Sequence, residues 1–452
     1  MIDPDTLEPF SEILEEWHYD DPTTFVMTLK PGITFSNGDE AKAEDLLFSV
    51  TQHFERKSAF TKWIGDLNVE ACYTEGDYTA VLKYNTAYGP GLWCNVLYLF
   101  DKSWCEAEGW DSEKWYSDPN GSGPYKVLEY VRDDHFTVVP KDNYWNAANE
   151  EYAVKEWIYK YYPDQTTLSM ALEIGDIDMC GIPVSDYSRM NSLGEDSGVG
   201  VVAQSAGTNM IFTMSGVENP IFNDINVREA LAYGVDWAAI GESVMGELYK
   251  PATSCLISDS LFYENVGAYE FDQERAKQAL ERGGYKDGDI SFKMLCMTGS
   301  EYEAIAQGVQ FYLDQIGIKF EIIFGDMVDV FTKWTQPGNS DVGCMTYGQG
   351  SASAEPHHAL AHFYKASNLF AYSSDEEAKA LGLEALACTD FEQRKELYSE
   401  FQNMVKDEYL IIPIYENYAC LAYDSTIFTK EEMEDLVVHP LYVRTRELSR
   451  AQ

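Results

Sequence analysis

The chain has 452 residues, 45% hydrophobic and 24% charged, the balance of a globular protein of two or three domains that needs no disulfide or metal staple. Its 76 acidic and 32 basic residues leave a formal charge of −44, which argues against nucleic acid and anionic membranes as partners. No run approaches the ~18 apolar residues of a membrane span. In chain order, Thr24–Leu29 reads as a strand, followed by turn chemistry at Lys30-Pro31-Gly32 and Ser36-Asn37-Gly38-Asp39. Leu46, Leu47, Val50 and Phe54 predict a helix over Ala43–Arg56. Tyr78–Tyr84 and Phe136–Pro140 alternate as strands, with a dense loop signal at Asn120–Pro124 between them. A helix is expected over Asp164–Ile174, stopped by Gly175, and another over Val227–Met245 after the break at Asn219-Pro220. Ile290–Met297, a helix from Ser300 to Gln315 and Lys319–Phe324 form a β-α-β unit, which favours a parallel strand pair. Helices at Asp375–Ala387 and Phe391–Lys406 and an extended Leu410–Tyr423 complete the pattern. No repeat or long linker separates the parts, so strands are expected to join them.

Motif chemistry is sparse. The nine cysteines are scattered and form no C-x-x-C pair, so they read as small core residues. His357, His358 and His362 cluster, and His358 and His362 could share a helix face toward a metal, with Glu355 and Glu416 as oxygen donors. The zincin pattern is absent, and local polarity is the simpler account. Gly348-Gln349-Gly350 lacks the third glycine of a dinucleotide fingerprint, and no P-loop or nucleophile elbow occurs. Aromatic residues make up 14%; some could line a cleft for peptides or sugars.

Several segments in order resemble the extracytoplasmic solute-binding proteins of bacterial ABC importers, in the family 5 branch of dipeptide, oligopeptide and nickel binders. They are Glu15-Glu16-Trp17 with Phe25–Gly38, Ala43–Ser49, Gly121–Tyr125, Asn143-Tyr144-Trp145, Ala171–Asp178, Phe222–Leu231, Asp272–Tyr285, and Asp390–Tyr398 with Pro413-Ile414-Tyr415.

The resemblance implies an α/β fold of two periplasmic-binding-protein-like lobes with an accessory subdomain. Two crossing segments, near Val201–Asn209 and Tyr409–Tyr415, would join lobes spanning 1–207 plus 413–452 and 208–412. It implies a monomeric receptor without catalysis or cofactor, trapping a solute between its lobes and delivering it to ABC permease subunits. Peptides lead as the solute, with oligosaccharide and nickel or a metal chelate as alternatives. A hydrolase on the same scaffold is the alternative of another class. Met1–Asp5 hold neither a basic start nor an apolar stretch, and so read literally as cytoplasmic. The resemblance implies instead a periplasmic or cell-surface protein whose signal peptide, first strand region and lipid anchor are missing from the chain. Peptide-binding members grip the α-amino group with an acid. Gly350 or Ser351 falls at its place here, unless Glu355 substitutes. Tyr347 is the expected stacking wall, with Gln349 and Ser351 as hydrogen-bonding groups. Phe60 or Trp63 would reach the ligand from the accessory subdomain, and Met327 falls near a ligand-side aromatic position.

Overall fold

The computed structural model describes residues 7–58, 61–91, 98–147, 154–194, 197–215, 219–335, 342–350, 355–357, 359–360 and 375–435. At 62–63, 300, 331–332, 334–335 and 342–350 it describes the backbone. The chain divides into two compact units, Met1–Gln204 with Cys420–Gln452, and Ser205–Ala419.

In the first unit, β1 (Leu14–Asp21), β2 (Thr24–Leu29), β3 (Tyr73–Glu75) and β4 (Thr79–Lys83) form an antiparallel sheet in the order β1-β2-β4-β3. Central β2 buries the consecutive Phe25, Val26 and Met27, and Leu29 beyond Thr28, so both its faces are covered. Helix α1 (Ala43–Glu55) buries Ala43, Leu46 and Val50 at helical spacing. Its Asp45 carboxylate accepts the Lys42 N–H at 2.8 Å and the Lys102 N–H at 2.9 Å. Ser49 accepts the Phe100 N–H at 2.8 Å. The polar positions of the Ala43–Ser49 motif therefore fasten a distant segment to α1. After α2 (Thr61–Ile64) come α3 (Lys102–Glu108), capped by Asp101, and α4 (Lys114–Ser117).

The Asn120–Tyr125 loop is clasped in turn. Gly121 C=O accepts from Lys141 Nζ at 2.6 Å and Ser36 Oγ at 3.1 Å, and Trp145 Nε1 donates to Ser122 C=O at 3.0 Å. A second sheet, β5 (Tyr125–Val131), β6 (His135–Pro140) and β7 (Trp157–Lys160), is followed by α5 (Gln165–Glu173), β8 (Met179–Ile182) and α6 (Val184–Asn191).

β9 (Val199–Met214) carries the chain into the second unit. The single helix expected over 227–245 is two, α7 (Ile225–Gly234) and α8 (Trp237–Met245). Val235 is extended, and Asp236 caps the second by accepting the Ala239 N–H at 2.9 Å. α9 (Gln273–Gly283) ends on Gly284 at φ 80°, the left-handed conformation glycine adopts without strain. The expected β-α-β unit is present: β10 (Ser291–Met297), α10 (Ser300–Asp314) and β11 (Lys319–Gly325), the strands parallel with Met297 opposite Gly325. After α11 (Met327–Thr335), β12 (Val342–Gly350) pairs parallel with β10 and antiparallel with β9. α12 (Glu376–Ala387) and α13 (Phe391–Asp407) lead to β13 (Ile411–Asp424), which re-enters the first unit, pairs with β8 and is followed by α14 (Lys430–Asp435).

The core of the second unit gathers Ile211, Leu256, Leu295, Leu360, Tyr398, Phe401 and Ile411. Cys105, Cys180, Cys255, Cys296 and Cys420 are buried free thiols. Burial pushes Cys105 and Cys255 up to about 12, and Cys180, Cys296 and Cys420 to about 11.

Candidate functional site

Strand direction locates the site. β10, β11 and β12 run parallel, so their carboxyl ends meet at one edge of the sheet. β9 runs against β12, which brings its Thr208 and Asn209 to the same edge, opposite Gly350 and Gln349. Ligands of open α/β sheets bind outside the carboxyl ends of the strands, where the connecting loops diverge. The residues of this edge are Thr298–Tyr302 after β10, Asp326 and Met327 after β11, the Tyr347–Gly350 end of β12, and Thr208.

The edge is held from beneath by buried polar groups. Asn209, 1% exposed, donates through Nδ2 to Leu256 C=O at 3.0 Å. Asn417 donates to Thr208 Oγ1 at 2.9 Å. Next to Asn417, the buried Glu416 pairs with Lys250 at 2.7 Å and accepts from Ser258 Oγ at 2.9 Å. Glu301, in the first turn of α10, is half-buried. Burial raises its carboxyl above the usual range, against the Tyr302 hydrogen bond that lowers it. Burial also pushes Tyr302 up to about 12. A partly desolvated carboxylate on a sheet's carboxyl edge suits an ammonium or an amide donor of a ligand.

The expected site residues divide accordingly. Met327 lies at this edge, at the start of α11 and 63% exposed. Tyr347 and Gln349 sit in β12, opposite Ile211 and Asn209, and their side chains lie outside the described residues. Phe60, Ser351, His358 and His362 also lie outside them, and Trp63 is described in backbone only, within α2.

Two alternatives that the sequence left open meet obstacles in the structure. Glu355 is no substitute acid for a ligand: it is fully buried and ion-paired with Arg394, whose side chain is 3% exposed. That guanidinium also donates to Ala385 C=O at 3.1 Å, so the pair roots the chain beyond β12 in the core. A metal held by the histidines and these glutamates meets similar obstacles, because His357 is fully buried and Glu416 is committed to Lys250 and Ser258. Among the described residues, no group of three or more His, Cys, Asp and Glu is placed to hold a metal.

Sequence reasoning missed Glu301 and Tyr302. The available signal was their position just after the Thr298-Gly299 end of a strand in a β-α-β unit.

Residues 8–370 match the family described as bacterial extracellular solute-binding proteins, family 5 Middle. The chain is 27% identical over 308 residues to the heme-binding protein A of Haemophilus influenzae, a match over 66% of this chain and 54% of that protein. It thus spans about half the length of that curated relative. It is 23% identical over 415 residues to the oligopeptide-binding protein AppA of Bacillus subtilis, covering 86% of this chain and 75% of that one. The ABC transporter substrate-binding protein CtaP of Listeria monocytogenes has the same fold, with a TM-score of 0.82 at 21% identity over 97% of this chain and 90% of that one.

Proposed function

Because the chain belongs to the family 5 bacterial extracellular solute-binding proteins, we propose that it is the solute receptor of an ABC importer and takes a peptide-like solute at the carboxyl edge of its second unit. The observation that carries the reading is the convergence of β10, β11 and β12 on one edge, with the half-buried Glu301 among its residues. Glu301 supplies the negative charge for the solute's ammonium, the role for which Gly350 and Ser351 are unsuited. Tyr347 is the stacking wall, Gln349 and Ser351 are hydrogen-bonding groups, and Met327 is an apolar contact. The two compact units are the two lobes of the receptor. Oligopeptide-binding AppA, whose match covers most of both chains, supports the peptide class. The receptor works outside the cytoplasm as a lipid-anchored monomer, hands its solute unchanged to permease subunits and performs no catalysis.

The test is a thermal-shift screen of the purified chain against separate pools of peptides, oligosaccharides and nickel salts. A ligand at one hundred times its dissociation constant adds about 2.7 kcal/mol, a rise of a few degrees. The peptide pool alone should raise the midpoint, N-acetylation of the active peptide should remove the effect, and Glu301→Gln should weaken binding about tenfold. A shift with sugars or nickel alone overturns the peptide reading, and a solute returned chemically altered overturns the receptor reading.

A further inference from the structure

Away from that edge, the first unit contains a cleft of about 820 Å³ between α1, α3 and β3. One face of α1 presents Glu44, Phe48 and Glu55 to it, α3 adds Lys102 and Glu106, and Tyr73 and Trp110 form aromatic walls. Acids outnumber bases: three carboxylates line the cleft with one ammonium, Lys102, 3.4 Å from Glu44, and the Arg56 guanidinium sits behind on Trp110. The aromatic wall is rigid. Trp110 stacks on Trp115 with centroids 4.9 Å apart and planes at 6°, and the Arg56 guanidinium lies 4.2 Å from the Trp110 ring centre. β3 is the last strand of its sheet, with all three residues exposed, so its outer backbone borders the cleft unpaired by any described strand.

We propose that this cleft is a second binding site, for an extended lysine- or arginine-bearing polypeptide segment. The three acids pair the cationic heads, Phe48 and Tyr73 cover the methylene stems, and the free edge of β3 takes the segment's backbone as an added strand. The charge pattern excludes a polyanion. None of these residues belongs to the solute edge, so the site stands whatever the transported solute proves to be.

The experiment is calorimetric titration of the whole chain with acetyl-tetralysine-amide at low ionic strength. Saturable one-to-one binding is expected, falling with added salt and weakened about tenfold in Glu44→Gln/Glu106→Gln. Lys102→Glu should tighten it severalfold, a gain that damage to the fold cannot imitate. Glu274→Gln/Glu376→Gln removes the same charge at side chains that are 80% and 85% exposed in the other unit, and should leave the affinity unchanged. Equal weakening in both double variants would show bulk attraction to an acidic surface and overturn the proposal. So would absence of saturable binding, or loss of binding in Glu301→Gln with the cleft acids intact.

Discussion

Glu40, between two of the motif segments, shows how much a single side chain does. Its carboxylate accepts from Lys42 Nζ at 2.7 Å, the Gly32 N–H at 2.9 Å and Tyr78 OH at 2.8 Å, tying the turn at residue 32 to α1 and β4. The Lys42 bond first, then Gly32 and Tyr78, lower its pKa from 4.5 to about 2. A depressed carboxyl contributes stability that is fully present above its unfolded value and is lost as pH falls through its folded value. Urea denaturation between pH 5 and 2 should therefore show part of the acid loss of stability disappearing in Glu40→Gln. Glu355 makes the opposite case, a buried acid that binds nothing but its own fold. Glu355→Gln should cost about 3–5 kcal/mol of stability, because it leaves the Arg394 charge buried and uncompensated. Solute affinity of the folded fraction should be unchanged. A lower affinity at unaltered stability would return Glu355 to the ligand.

At the scale of elements, the motif residues legible in the sequence turn out to be fasteners. Arg228, in the Phe222–Leu231 motif, is 9% exposed and donates to the carbonyls of Phe222 and Asn223 at 3.0 Å and of Glu408 at 2.7 Å. It joins the start of α7 to the end of α13. Asp224 caps α7 through the Asn226 N–H at 2.9 Å and accepts from Tyr285 OH at 3.0 Å, linking two motifs that are far apart in sequence. Arg228→Ala should cost about 3 kcal/mol in urea denaturation, since several carbonyls lose their donor together. Lysine should restore little of it, because one ammonium cannot reproduce the fork. Such fasteners are readable because each needs a particular side chain at a particular spacing. β12 was not readable as a strand: Val342–Gly350 mixes glycine, cysteine and polar residues, and pairing on both sides holds it extended. The proposed solute edge was half legible for the same reason. Met327 and the end of β12 could be reached through resemblance, whereas Glu301 and Tyr302 acquire meaning only when strand direction brings them to the edge.

For the whole molecule, the property that outweighs the rest is a formal charge of −44. Self-repulsion at that charge opposes compaction and is screened over about 10 Å at 0.1 M salt. The thermal midpoint should therefore rise as sodium chloride goes from about 10 to about 150 mM, in calorimetric scans without ligand. A midpoint that is flat or falls would mean that attractive pairs outweigh the repulsion.

The buried thiols carry a further consequence, for the chain's history rather than its finished state. In the folded protein, desolvation keeps Cys105, Cys180, Cys255, Cys296 and Cys420 protonated, and a protonated thiol is a poor nucleophile. Before folding, the same sulfurs have ordinary acidity and full access to oxidants. Folding and oxidation therefore compete in time. In an oxidising surrounding, the yield of native protein depends on sequestering these sulfurs before they can cross-link, and slow folding would convert harmless core residues into traps.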